Sequence, residues 1–251
     1  MSFVQVNGAD IHYEMTGETG PCLVLIHGSG GSAALWPEEL LRLPGVRVAA
    51  LDLPGHGRSG GRPSDRVEDY ARVVAGVVES LGLSGVYLLG HSLGGAIALQ
   101  LALSSPPWLS GVILVGSGAR LRVFPAILEG LENDFAGSLD MMDRFLFSPG
   151  TDESIIRASR RSAETAGQKA VLADFTACDR FDVMERLGEI SVPALVVSAD
   201  NDALTPAKYG KFMADAIPDA RFALLSGTGH MMALEKPKEV AALVSSFLSG
   251  G

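Results

Sequence analysis

Val86-Tyr87-Leu88-Leu89-Gly90-His91-Ser92-Leu93-Gly94-Gly95, continued by Ala96 to Leu103, is an apolar strand run that enters a helix through a turn of glycines. A strand-to-helix turn this sharp leaves no room for side chains at its flanks, hence the glycines. It lifts the serine hydroxyl above the sheet at a helix N-terminus. Unpaired amides and the helix dipole favour negative charge there. Gly-x-Ser-x-Gly also occurs as a plain glycine-rich turn, so the surrounding residues decide its meaning.

Outward from this turn the chain alternates between strand and helix. Toward the N-terminus, Phe3 to Val6 and Ile11 to Met15 read as short strands joined by an Asn7-Gly8 hairpin turn. Cys22 to Ile26 and Val46 to Leu51 are apolar runs, each followed by a glycine-rich loop. Residues 64–82 carry Val67, Tyr70, Ala71, Val74, Val77, Val78 and Leu81 at helical spacing, with Ser64 or Asp65 to cap the helix and Gly82 to end it. Toward the C-terminus, Val112 to Val115 is a further strand. The alternation then stops at Gly116-Ser117-Gly118 and resumes at Val192 to Val197, followed by Arg221 to Leu225 and a closing helix bearing Val240, Val244 and Phe247. In the interval, Leu128, Leu131 and Phe135, then Leu139, Met142, Phe145 and Leu146, repeat at helical spacing with no strand-like run. The pattern predicts an α/β fold: a mostly parallel eight-stranded sheet flanked by helices, with a core from residues 1–118 and 190–251 and a helical cap inserted at 119–189.

Charge narrows the partners. The 251 residues hold 20 Lys plus Arg against 29 Asp plus Glu, a formal charge of −9 that repels phosphate backbones and anionic membranes. From Ser80 to Ala119 no Asp, Glu, Lys or Arg occurs, but Gly85, Gly90, Gly94, Gly95, Pro106-Pro107 and Gly111 cut the stretch into strand and helix lengths. A buried β-α-β unit fits better than a membrane span. The first residues carry no basic then apolar leader, and Cys22 and Cys178 lie far apart, so a cytoplasmic protein with two free thiols is expected. No His-x-His or His-Glu-x-x-His spacing exists, and no metal site is expected.

A serine nucleophile needs a base, and the base needs an orienting acid. Asp200 and Asp202 stand just past the strand ending at Val197, and His230 stands in Gly227-Thr228-Gly229-His230-Met231, just past the strand ending at Leu225. Both loops lie at strand carboxyl ends, the edge that also carries Ser92. Asp202, four residues before Pro206, is the favoured acid, with Asp200 left to cap a turn. A competing pattern is Gly28-Ser29-Gly30-Gly31-Ser32-Ala33 after a strand, with Asp52 at the next strand end, the layout of a dinucleotide fingerprint. It accounts for neither Ser92 nor the Asp202 and His230 segments.

Taken together, His27-Gly28-Ser29-Gly30-Gly31, Asp52-Leu53-Pro54-Gly55-His56-Gly57-Arg58-Ser59, the turn at Ser92 and the Asp202 and His230 segments resemble the α/β-hydrolase superfamily over the whole chain. The resemblance implies Ser92, Asp202 and His230 as a catalytic triad, an oxyanion hole from the backbone N–H groups of Ser29 and Leu93, and no cofactor. Ser at position 92 separates the chain from the dehalogenases and epoxide hydrolases of the superfamily, which carry Asp there. The expected function is hydrolysis of a small-molecule carboxylic ester through an acyl-enzyme on Ser92. Lactonase, thioesterase, acyltransferase, perhydrolase and acyl-carrier ester hydrolase activities share these residues, and a hydrolase-fold small-molecule receptor is the alternative of another class. Trp36, Phe124, Met142, Phe145, Leu204 and Met231 are candidates for an acyl pocket. His27 and His56 are expected to anchor loops. Nine of the 20 basic residues fall in 119–189, and Arg157, Arg160 and Arg161 are spaced to share one helix face, which would suit an acidic carrier protein.

Overall fold

A hairpin opens the computed structural model, which describes residues 2–250. β1 (Ser2–Val6) and β2 (Ala9–Thr16) are joined by Asn7 and Gly8, both at positive φ, as a two-residue turn matched to strand twist requires. β3 (Cys22–Ile26), α1 (Glu38–Leu41), β4 (Arg47–Leu51), α2 (Val67–Ser80), β5 (Val86–His91), α3 (Leu93–Ser104) and β6 (Leu109–Val115) follow in alternation. Then come α4 (Pro125–Asn133), α5 (Phe135–Leu146), α6 (Glu153–Ala166) and α7 (Gln168–Arg180) with no strand between them. β7 (Ala194–Ala199), α8 (Ala207–Ala216), β8 (Ala220–Leu225), α9 (Met232–Glu235) and α10 (Pro237–Leu248) close the chain.

The eight strands form one sheet in the order β1-β2-β4-β3-β5-β6-β7-β8, antiparallel across β1, β2 and β4 and parallel from β4 to β8. Period-two alternation of apolar side chains supplies both faces. In β3, Val24 and Ile26 belong to the apolar layer that also holds the buried faces of α2, α3 and α8, while Leu23 and Leu25 belong to the layer that holds those of α1 and α10. The charge-free stretch is the centre of this sandwich: in α3, Leu93 to Leu99 are all buried, because both sheet and neighbouring helices cover it.

The insertion leaves and rejoins the sheet at one place. The Val183 N–H donates to the Ala119 carbonyl at 2.8 Å, and Arg120 pairs with Asp182 across an isolated bridge. Its helices have a small core of their own in Leu131, Leu139, Met142 and Val171. The packed cap helices end at Arg180, short of the expected limit at 189. Met184–Glu189 is a 3-10 turn whose Leu187 is buried in the layer with α3, so it belongs to the core. Another difference concerns α2, which starts at Val67 with no side-chain cap. The Ser64 hydroxyl accepts from the Arg66 N–H, and the Ser64 N–H donates to the Tyr70 hydroxyl, so the polar groups expected to cap the helix fold the preceding turn instead. Among the described residues, no helix is long and apolar enough to cross a membrane.

Candidate active site

Ser92 joins β5 to α3 at φ +53°, ψ −115°, a conformation that strains any residue with a Cβ. The turn closes so tightly that a Cβ at Gly90 would overlap the Gly94 carbonyl, one at Gly94 would overlap the Ile26 carbonyl of β3, and one at Gly95 would overlap Ser117. Backbone bonds hold the strain in place. The Ser92 N–H donates to Val115 of β6 at 3.0 Å, and the Ser117 hydroxyl donates to the Ser92 carbonyl at 2.8 Å.

Asp202 and His230 meet beside this turn. His230 Nδ1 lies 2.9 Å from Asp202 Oδ2, with both side chains buried. An ionised carboxylate there takes the Nδ1 proton as its hydrogen bond and leaves Nε2 with a free lone pair. Asp202 also accepts from the Leu204 and Thr205 amides at 2.9 and 2.8 Å and from the Thr205 hydroxyl at 2.6 Å. Burial alone would raise the Asp202 pKa, but His230 and the Thr205 donors outweigh it and hold the group at about 2. Asp200 is exposed and accepts from the Gly227 N–H at 2.7 Å, which fixes the loop leading to His230 without touching the imidazole.

Ser92 and His230 line one cavity of about 160 Å³ beneath the cap, with no direct hydrogen bond between them. Such bonds commonly tighten only when substrate arrives. Ser29 lines the same cavity, and neither its N–H nor that of Leu93, the first residue of α3, has an acceptor among the described residues. Trp36, Met142, Leu204 and Met231 line the cavity, and Phe124, 79% exposed, stands at its rim. Phe145 does not. On α5 the cavity stripe is Leu139, Met142, Asp143 and Leu146, spaced i, i+3, i+4, i+7, and Phe145 projects off that stripe with 46% of its surface exposed. The glycine-rich loop after β3 does not open a long helix as a dinucleotide cradle would: a 3-10 turn, Ala33–Leu35, follows it and then the four-residue α1. Asp52 is already taken by the Ala33 and Arg58 amides at 2.6 and 2.9 Å and by His12 at 2.9 Å.

Three histidines with no evident proton-transfer role surround the site. His27 accepts from the Leu53 N–H at 3.0 Å through Nε2 and donates from Nδ1 to the Gly28 carbonyl. Burial, aided by nearby His56, pulls its pKa well below the ordinary imidazole value. His91 bonds the His230 carbonyl at 3.0 Å, and burial followed by His230 pulls it to about 3. His56 goes the other way: burial opposes protonation, but the Asp174 carboxylate overrides it and raises the pKa. Below about pH 6.5 the unfolded chain protonates His27 and His91 while the folded chain does not, so unfolding takes up about two protons and stability falls as pH drops. His56 is protonated in both states there and adds no slope. Urea unfolding at pH 7, 6 and 5 should show a loss approaching about 3 kcal/mol per pH unit near pH 5, and an unchanged stability over that range would contradict it.

Sequence patterns did not reveal several residues that hold the site. Thr205 and Ser117 sit beside the favoured motifs without belonging to them: Thr205 braces Asp202 from within the same loop, and Ser117 reaches the Ser92 carbonyl from the loop after β6. Glu235 accepts from the Gly229 and Ser148 amides at 3.0 and 3.1 Å, tying the His230 loop to the end of α5. Asp174 of α7 is fully buried against the core. Arg157, Arg160 and Arg161 are not one free basic face. Arg160 is held by Asp140, Asp143 and Glu164 beside the cavity, and Arg157 pairs with Glu153. Both cysteines are free and buried, and burial pushes the Cys178 thiol up to about 12.

Comparison with known proteins identifies the family. The sequence model described as "Alpha/beta hydrolase family" matches residues 23–243. A 2-hydroxy-6-oxo-6-phenylhexa-2,4-dienoate hydrolase of Comamonas testosteroni is 30% identical over 95% of this chain and 91% of its own. A pimeloyl-[acyl-carrier protein] methyl ester esterase of Neisseria meningitidis is 30% identical over 90% of this chain and 92% of its own. The solved structure of a thermophilic esterase superposes with a TM-score of 0.88 at 34% identity, covering 99% of this chain and 97% of the other. Similarity of this extent, in sequence and in overall structure alike, makes the chain a member of the α/β-hydrolase family.

Proposed function

We propose that this hydrolase cleaves carboxylic esters through an acyl-enzyme on Ser92. The observation that carries the proposal is the strained Ser92 turn opening onto the same cavity as a buried Asp202–His230 pair. Strain of this kind persists only where surrounding structure over-determines it. In the proposed reaction His230 Nε2 takes the Ser92 hydroxyl proton as Oγ attacks the carbonyl carbon. Asp202 keeps the ring oriented and stabilises the imidazolium. The Ser29 and Leu93 amides receive the developing oxyanion, a contribution worth about 10²–10³ in rate per donor. His230 then gives its proton to the leaving alcohol, and a water activated by the same nitrogen releases the acid.

The apolar cavity wall of Trp36, Met142, Leu204 and Met231 favours an uncharged acyl chain. Each methylene that fits is worth about 0.8 kcal/mol, or roughly four-fold in kcat/KM. A panel of p-nitrophenyl esters of increasing chain length, run beside lactones and acyl thioesters, should therefore show kcat/KM climbing until the cavity is full and falling beyond. Turnover confined to thioesters or lactones would reject the ester assignment. A few product molecules per protein and then no more would favour the small-molecule receptor.

A further inference from the structure

The loop carrying the Ser29 amide is built from two sides. Within the loop the Gly31 N–H donates to the Gly28 carbonyl at 3.0 Å, and on the core side His27 bridges the Gly28 carbonyl and the Leu53 amide. From above, the cap reaches it. The Gly30 N–H donates to Asp174 Oδ2 at 2.9 Å, and Ser29 Oγ lies 3.8 Å from Cys178 Sγ, one turn further along α7. Gly30 is at φ +65°, and a Cβ there would stand 3.1 Å from Ala163 of α6 and 3.2 Å from Val171 of α7. Ser162 and Ser32 join hydroxyls at 3.2 Å.

Asp174 is the one charged group in this roof that is completely buried. A buried carboxylate is costly unless its lone pairs are filled. Here they are filled by three donors from the core: Gly30 N–H, His56 Nε2 at 2.9 Å and the Tyr70 hydroxyl at 2.6 Å. His56 and Tyr70 would suffice to fasten α7 to the core. The Gly30 bond does something else. The Ser29 N–H shares its planar peptide with the Gly28 carbonyl, which Gly31 and His27 hold from one side, and the Gly30 bond pins the peptide on the other side of Ser29, so that the backbone is fixed on both sides of the Ser29 Cα. The histidine partner also matters. A lone anion so close to a developing oxyanion would oppose it, whereas Asp174 faces a ring whose two nitrogens both meet acceptors, the Pro54 carbonyl at 3.1 Å and Asp174 itself at 2.9 Å, an arrangement that draws positive charge onto His56.

We propose that Asp174 is a positioning residue for the oxyanion loop, so that the seated cap is part of the catalytic geometry. This rests on the assignment of Ser92 as nucleophile and Ser29 as oxyanion donor. Asp174→Asn keeps the volume but offers one acceptor and an unwanted donor to groups that all donate. Tyr70→Phe removes a cap-to-core bond and leaves the Gly30 bond in place. Both should lower the thermal midpoint. At a temperature where both are folded, Asp174→Asn should lower kcat on p-nitrophenyl acetate by about 10- to 100-fold with KM changed less than about three-fold, because a misplaced oxyanion donor acts on the transition state. Labelling of Ser92 by an organophosphonate, which builds a tetrahedral centre, should slow in proportion. Tyr70→Phe should keep kcat within about two-fold.

If Asp174→Asn does not fold, the unaltered chain carrying ¹⁵N-glycine provides the second readout. The Gly30 amide should resist hydrogen exchange both free and as the phosphonate adduct, and exchange at the rate of an open loop would overturn the proposal. Equal kcat and equal labelling in Asp174→Asn and the unaltered chain would leave Asp174 a fastener only and overturn this proposal alone. Failure of the unaltered chain to label at Ser92 would overturn the nucleophile assignment together with it.

Discussion

Ser92→Ala and His230→Ala are each expected to lower ester turnover by about 10⁴-fold or more, with the double variant little worse than either. In the proposed mechanism the two residues act on one proton: Ser92 Oγ attacks as His230 Nε2 accepts its hydrogen, and that nitrogen is available because Asp202 occupies the other. Removing either dismantles the same unit, so the losses do not multiply. Asp202→Asn should also be severe, by about 10³- to 10⁴-fold, since an amide can donate to the ring and favour the wrong tautomer. Asp200→Asn should stay within about three-fold, because its partner is the Gly227 amide. Steady-state kinetics on p-nitrophenyl butyrate, normalised by phosphonate titration where Ser92 is present, measures all of these. Multiplying losses would place Ser92 and His230 in separate steps, and a severe Asp200 variant beside a mild Asp202 variant would exchange the two acids.

Gly94→Ala should cost more than about 4 kcal/mol and largely abolish soluble folded protein. Its added methyl would occupy the position of the Ile26 carbonyl oxygen, an atom in a central strand hydrogen-bonded between β4 and β5. Neither side can yield: α3 is fixed by burial on the sheet, and β3 by ladders on both edges. Gly90→Ala meets the Gly94 carbonyl in the same way and should behave alike. Gly188→Ala is the control, since its new methyl meets no atom within 4 Å and its backbone is not in the left-handed region. It should stay within about 1 kcal/mol of the unaltered chain, or gain slightly from a stiffer unfolded state. Circular dichroism melts and soluble yield decide the matter. A Gly94→Ala midpoint within a few degrees of the unaltered chain would show that the turn is looser than its geometry implies.

What the sequence discloses follows the range of the interactions involved. The glycines around Ser92, the apolar strands and the helical periodicity of α2 are local patterns, and each appears in the structure within a few residues of where it is read. The placing of Asp202 and His230 at strand carboxyl ends is equally legible, because a parallel sheet brings all such ends to one edge. Asp174 illustrates the limit. Its partners Tyr70, His56 and Gly30 lie 104, 118 and 144 residues away, and nothing in the periodicity of α7 separates it from a solvated aspartate. Arg160 misleads for the same reason. Spacing sets it on a face with Arg157 and Arg161, but Asp140 and Asp143 of α5 turn it into an internal clasp. Phe145 fails more simply, since an apolar stripe tells which residues share a side of a helix and not which of them faces a void.

The strand order has a bearing on how the chain is made. Six strands, β1 to β6, lie on residues 2–115 and form a contiguous block of the sheet, whereas β7 and β8 join its far edge only after the insertion has been synthesised. A chain emerging from its N-terminus can assemble that block early. Until β7 docks, β6 presents the open edge of Leu109-Ser110-Gly111-Val112-Ile113-Leu114-Val115, a strand without a single charge to discourage pairing with another molecule. Asp202 and His230 arrive on the loops after these late strands, so in the proposed mechanism recovered activity is a report on the last docking event, and before it the uncovered β6 edge is the place where association between chains competes with folding.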